Sequence, residues 1–368
     1  MDLSNFEKQV SKTGFELEYR VARILKDEGW SLISNRCYLD DQEETVREID
    51  LLAYKVRNVK HVSIYTALII SCKKSESNVW ALLSREVDVK DPNSDWQPFQ
   101  GWCNHPAISY YLDDSEWPKK YYNKMTEVCS SIFQVPNVDV FAFQEMNKVS
   151  GACQNDKSIF ASITSLMKAQ SYEISTLVDR KKGKPCVYQF NLISVIDSDL
   201  VRILFDGEKV EASQVDSEDY VSRYILRKKD STSRIKFVAA KNFGDVILDY
   251  SRLHSENCAM FEEVYEDFYK DAYKKYRKSS LLYEDLRFAL NGRLNSAYYK
   301  STGEWIDFKE VSIFWDDKKQ VVTIDFDFNF EVIDKMNASK ECRDIGKAAL
   351  LKVYRYEGDF EYAVGIPF

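Results

Sequence analysis

The sequence predicts an α/β protein in which a mixed sheet is flanked by helices and followed by a smaller C-terminal α+β unit. Three observations carry this expectation. A helix-period segment precedes three short β-type runs, later apolar runs alternate with long helical ones, and the character of the chain changes near His254.

Residues 11–27 read as the first helix: Phe15, Glu18, Ala22 and Leu25 recur at helical spacing, Gly14 lies in the first turn, and Gly29 is placed to end it. Strands follow over 30–38, 47–54 and 62–72, separated by the acidic loop 40–44 and by residues 57–61. The Trp, Pro, Asn and Asp content of 75–118 predicts long loops around a cleft. Helices are expected over 121–133 and 156–177. Strands are expected over 138–144, 189–196, 199–205 and 235–239, extending the first sheet. Beyond His254, the aromatics Phe261, Tyr265, Phe268, Tyr269, Tyr273 and Tyr276 form a stripe on one helix, and a further helix covers 281–299. Two strands then flank the turn 316–319. The second alternates Ile324, Phe326, Phe328 and Phe330 against Thr323, Asp325, Asp327, Asn329 and Glu331. Twelve glycines and seven prolines form no linker, so the division into 1–254 and 255–368 is expected at a tight junction.

Composition narrows the function classes. Hydrophobic residues at 45% and aromatics at 14% belong to a folded chain with a sizeable core. No apolar run approaches the roughly 18 to 20 residues that span a bilayer, and residues 1–11 are too polar for a secretory signal, which predicts a soluble, cytoplasmic protein. The eight cysteines form no CxxC pair and do not cluster with His61, His105 or His254, a pattern of reduced thiols and not of a zinc site. A net charge of −8 excludes a surface coated by nucleic acid but permits a local basic groove. No GxxxxGK or dinucleotide fingerprint is present.

Three charged residues stand at positions of apolar character. Glu18 shares a helical face with Ala22 and Leu25, where a lone buried charge is costly. Asp50 sits within the strand residues Ile49, Leu51, Leu52 and Ala53, on one face with Glu48 by alternation. Lys73 ends the apolar run 67–72. Taken singly, each has the ordinary reading of a helix–strand ion pair. Together they hold the parts that phosphodiester hydrolysis needs: carboxylates for a cation and a positive group for phosphate.

The segments Thr13-Gly14-Phe15-Glu16-Leu17-Glu18, Arg47-Glu48-Ile49-Asp50 and Ile70-Ser71-Cys72-Lys73-Lys74-Ser75 resemble the PD-(D/E)XK, or restriction-endonuclease-like, superfamily in its Mrr-like branch. The resemblance implies a restriction-endonuclease-like mixed sheet. It also implies Mg2+ (or Mn2+) held by Asp50, Glu18 and the carbonyl of Cys72, with Lys73 orienting water and phosphate, and DNA cleavage in bacterial defence. The chain departs from the family at Ser71, where an acidic residue is usual and where a hydroxyl is a poor ligand for a hard cation. Three outcomes are left open: a nuclease in which Glu48 or Glu18 supplies the missing carboxylate, a degenerate fold that binds nucleic acid or a protein partner without cleavage, or a structural subunit in which these residues are only ion pairs. The C-terminal unit is then a recognition or partner-binding module.

Other features have bland readings as well as functional ones. The aromatic stripe could stack bases, but fits packing on a sheet. The acidic face Asp325, Asp327 and Glu331 fits a solvated strand face. The basic turn 180–184 fits a hairpin tip, with the alternative that Lys181, Lys182 and Lys184, together with loops 74–120, feed a positive cleft. Cys72 lacks a local histidine partner for nucleophilic work.

Overall fold

A computed structural model describes residues 3–10, 12–40, 45–91 and 95–365; residues 41–44 of the expected acidic loop lie outside these. The chain divides into two compact units, residues 1–105 with 112–260 and residues 106–111 with 261–368.

The first unit opens with helices α1 (Ser4–Val10) and α2 (Gly14–Asp27), then strands β1 (Ser31–Asp40), β2 (Thr45–Val59), β3 (Val62–Lys74), β4 (Asn78–Glu86) and β5 (Gly101–Cys103). After α3 (Pro106–Leu112), all but the last residue of which belongs to the second unit, come α4 (Trp117–Val128), α5 (Ser130–Phe133), β6 (Val138–Asn147) and α6 (Lys157–Arg180). Strands β7 (Cys186–Asp197), β8 (Leu200–Asp206), β9 (Lys209–Val215), β10 (Ser217–Leu226) and β11 (Lys229–Ala239) lead into α7 (Phe243–Lys270).

The helix–strand–strand–strand start is present as expected, with a different inward face on α2. Leu17, Val21 and Leu25 are buried whereas Phe15 is 69% exposed, because the stripe that meets the sheet is i, i+4, i+8 from Leu17. Gly29 takes φ +74 and closes the helix. The main sheet has the order β1-β2-β3-β7-β11-β10, with β5 on the first half of β7. β1, β2 and β3 form an antiparallel meander, β3 and β7 run parallel, and β7 is buried along nearly its whole length. On β3, Ala67 and Ile69 join an apolar cluster with Ile159, Ile163 and Leu166 of α6. The adjacent Thr66 accepts a hydrogen bond from Asn257 of α7 on the other face. A strand covered on both faces reads as a continuous apolar run, which is why 67–72 shows no alternation.

Residues 75–118 are loops in part, with no helix or strand over 87–91 and 95–100. Here β4 seeds a second sheet, β6-β4-β8-β9, which also takes up the runs expected over 138–144 and 199–205 to extend the first. β9 and β10 fall in residues 209–226, where no strand is expected above. β9 is exposed at six of its seven positions and is held by its pairing with β8.

The second unit comprises α8 (Tyr276–Ser279), α9 (Tyr283–Leu290), α10 (Arg293–Thr302), β12 (Ser312–Asp316), β13 (Val321–Phe326), α11 (Phe330–Ala338), α12 (Lys340–Tyr354) and β14 (Phe360–Val364). Its sheet has the order β12-β13-β14. The boundary at 260/261 lies inside continuous α7, six positions beyond the expected one, where composition gives no punctuation. Residues 106–111 belong to this unit because Tyr111 donates to Asp267 (2.5 Å) and Tyr110 packs on Phe268. The single helix expected over 281–299 is broken at Asn291-Gly292, with Gly292 at φ +73. The alternating strand stops at Phe326. Asn329 accepts a bond from the Val332 amide and caps α11, so Phe330 is 75% exposed and Glu331 pairs with Lys335 in a helical first turn. Phe261, Tyr265 and Phe268 are buried, in keeping with packing, while α7 ends at Lys270 and Tyr276 is exposed.

Candidate functional site

Asp50, Ser71, Cys72 and Lys73 meet where β2 and β3 part. Their ladder runs from Val59 opposite Val62 to Leu51 opposite Ile70 and ends there, whereas β3 stays paired with β7 as far as Lys74 opposite Asp197. Asp50 is the first residue beyond the last β2–β3 pair. Its carboxylate replaces the missing rung: the Cys72 amide donates to Asp50 Oδ2 at 2.6 Å and Ser71 Oγ donates to the same oxygen at 3.2 Å. Lys73 Nζ stands 3.6 Å from that oxygen. Because the N–H and C=O of one residue in a strand point to the same edge, the Cys72 carbonyl also faces the gap. Oδ1 of Asp50 accepts none of these three contacts.

Glu18 joins the group electrostatically. Burial pushes its carboxyl above the usual range, the negative charges of Asp50 and Glu48 push it further, and Lys73 pulls it back. Its Oε1 lies 3.9 Å from where a Cβ on Gly14 would stand, so the side chain runs back along the first turn of α2. Glu48 is exposed and accepts a bond from Asn35 Nδ2 (2.5 Å). Asn35 adopts φ 54 within β1, opposite the point where the strands part. Nothing in the sequence run 30–38 marked it beyond an asparagine's tolerance of that conformation. The Cys72 thiol is buried and held well above its ordinary value by burial and by the charges of Asp50 and Glu18, which makes it a poor nucleophile. Ser71 is buried at 3% exposure and lines a small cleft with Glu48, Asp50 and Ser165 of α6. A further ion pair, Arg20 of α2 with Asp197 (3.1 Å), ties that helix to the strand end beside Lys74.

The basic turn does not feed this site. The Ser63 amide donates to the Pro185 carbonyl, which places residues 180–185 at the beginning of β3, while Lys73 lies ten residues further along. At about 3.3 Å per residue, the two are roughly 30 Å apart. Arg180 is paired with Glu173 (2.6 Å), and Lys181 covers the rings of Tyr65 and Tyr188.

Among the described residues, no group of three or more His, Cys, Asp or Glu side chains is gathered to hold a metal ion. The donors at the gap are the carboxylate oxygens of Asp50 and the Cys72 carbonyl, hard oxygen ligands, and Glu18 shares their electrostatic field. That set fits a cation such as Mg2+, which keeps several of its waters, and does not fit an all-protein cage.

No family model, no curated protein and no solved structure matches this chain. The fold and the site define a mixed α/β protein, with multi-strand sheets flanked by helices and a small C-terminal strand unit. No helix among the described residues is long and apolar enough to cross a membrane.

Proposed function

We propose that the first unit is a restriction-endonuclease-like, metal-dependent nuclease that hydrolyses DNA phosphodiester bonds, acting in the cytoplasm in bacterial defence. The observation that carries this reading is the parting of β2 and β3 at Asp50, with Lys73 beside its carboxylate and Glu18 in the same field. Asp50, Glu18 and the Cys72 carbonyl would hold Mg2+ or Mn2+. Such an ion supplies charge neutralisation and an acidified water when bound.

The protein's own groups have separable roles. Lys73, fixed at Asp50 and partly exposed, donates to a non-bridging phosphate oxygen and offsets its charge. Glu18, which shares the electrostatic field of Asp50 and Lys73, would add a second carboxylate to the cation. Asp50 holds the end of β3 in register, so the Cys72 carbonyl stays aimed at the gap.

A second reading rests on Ser71. Its hydroxyl donates to Asp50 and satisfies the carboxylate without a cation, as a degenerate fold that binds nucleic acid or a protein partner requires. Supercoiled plasmid, single-stranded DNA and RNA incubated with Mg2+ or Mn2+ separate the two. The nuclease reading expects metal-dependent cleavage of DNA that falls at least about 100-fold in Asp50→Ala and Lys73→Ala. Equal cleavage by parent and Asp50→Ala overturns the site. Absence of cleavage with retained DNA binding favours the degenerate fold.

A further inference from the structure

A second cluster of buried charge lies within the first unit, on strands β10 and β11, and plays no part in the site above. Asp219 of β10 and Arg234 and Lys236 of β11 line a cavity of about 30 Å³. Among the described residues they are its only charged lining residues. Arg234 Nη2 donates to Asp219 Oδ2 (2.9 Å) and to the Gln134 carbonyl (2.6 Å), and Lys236 Nζ donates to the same Asp219 oxygen (3.0 Å). One carboxylate therefore serves two cations.

The imbalance falls on Arg234. Its side chain is 9% exposed, yet Nε and Nη1 are buried without a hydrogen-bond partner. A guanidinium cannot shed its proton, and leaving buried donors on a charged group unpaired costs more than leaving neutral ones. The Tyr122 hydroxyl gives its proton to the Pro98 carbonyl and turns its oxygen to the guanidinium, a neutral contact that leaves the charge unbalanced. The Gln170 oxygen on the lining is already taken by Ser233 (2.7 Å). Water in the cavity would satisfy the N–H groups but leave the net positive charge.

We propose that this cavity binds one small inorganic anion, of phosphate size or smaller, which balances Arg234 and Lys236 against Asp219. The space holds about two waters' worth of volume, which excludes a nucleotide or a peptide carboxylate with its chain. Selectivity follows from charge and size: two cations face one carboxylate, and the space admits only a small anion. Since the anion is carried by β10 and β11 against α4, its binding stabilises the folded unit by mass action. The proposal is independent of the reading of Asp50.

The test uses the full chain. Crystals soaked in bromide should show an anomalous peak within contact of Arg234. Calorimetry with inorganic phosphate should give saturable one-to-one binding, and the melting temperature should rise with phosphate at constant ionic strength. Arg234→Gln should lower phosphate affinity at least tenfold. Where that variant fails to fold, Lys236→Met, which removes the more dispensable charge, should lower it instead. A bromide peak without phosphate binding restricts the site to halide-sized anions. Water alone beside Arg234 under bromide, with no saturable phosphate heat, overturns the proposal.

Discussion

Replacing Ser71 by aspartate adds a carboxylate next to Asp50 and asks whether that pair was built to share a cation. The Ser71 hydroxyl is 3.2 Å from Asp50 Oδ2, so the new carboxylate carbon takes its place and the new oxygens lie roughly 4 to 5 Å from Asp50's charge. With an effective dielectric of about 20, repulsion between unit charges at that distance is about 3 to 4 kcal/mol. Uptake of a proton by one carboxyl at pH 7 limits the cost to about 4 kcal/mol, since about three pKa units separate pH 7 from an ordinary aspartate. The cleft beside Ser71 accommodates the added atoms, so overpacking contributes little. Metal-free Ser71→Asp should therefore melt roughly 10 °C below the parent in EDTA. Mn2+ should restore most of that loss and bind at least tenfold more tightly than to the parent, with faster DNA cleavage. Scanning fluorimetry with and without Mn2+, followed by titration calorimetry, measures both. A variant as stable as the parent in EDTA refutes the placement of side chain 71 on Asp50. A loss that Mn2+ does not repair refutes the shared-cation reasoning.

Three further outcomes follow from the geometry. Burial and the charges of Asp50 and Glu48 raise the Glu18 carboxyl, so its ionised form is disfavoured in the fold; the metal-free protein loses stability as pH rises from the ordinary glutamate range through the raised value. Glu18→Gln should melt higher than the parent at pH 7 in EDTA, with the gain gone below about pH 4.5. Lys168→Met removes a 2.7 Å partner from Asp40, a carboxylate only 1% exposed, and should cost about 3 kcal/mol in urea denaturation. Gly346→Ala sets a methyl group against the rings of Phe360 and Tyr362 and should destabilise the second unit by about 1 to 3 kcal/mol, seen as earlier loss of near-ultraviolet signal.

The order of elements around Asp50 was legible because each signal there is local. A carboxylate inside an apolar strand, a lysine at a strand's end and a glutamate on an amphipathic helix announce themselves by breaking a pattern. What closes the site was not legible. The ladder between β2 and β3 ends through a pairing between distant residues, and Asn35 reaches Glu48 only because β1 lies alongside. The same limit hid β9, whose polar residues are strand only by virtue of β8. Alternation carried Phe328 and Phe330 too far because the Asn329 cap competes with the strand, and an asparagine before an apolar residue reads equally well as turn or strand. The orphan nitrogens of Arg234 had no signature at all, since β11 shows an ordinary mixture of polar and apolar residues.

The hydrogen bond between the Cys72 amide and Asp50 has a spectroscopic consequence. Unlike the amides before it in β3, this one is held on its open edge by a side chain whose charge a cation or a proton would change. A short bond to a carboxylate deshields the amide proton, so Cys72 should resonate downfield of the strand envelope. Its exchange with solvent should track the state of Asp50 and not the opening of the sheet. One resonance on a perdeuterated sample would thus follow the site through titration with metal, acid or nucleic acid, in a protein for which no substrate needs to be known beforehand.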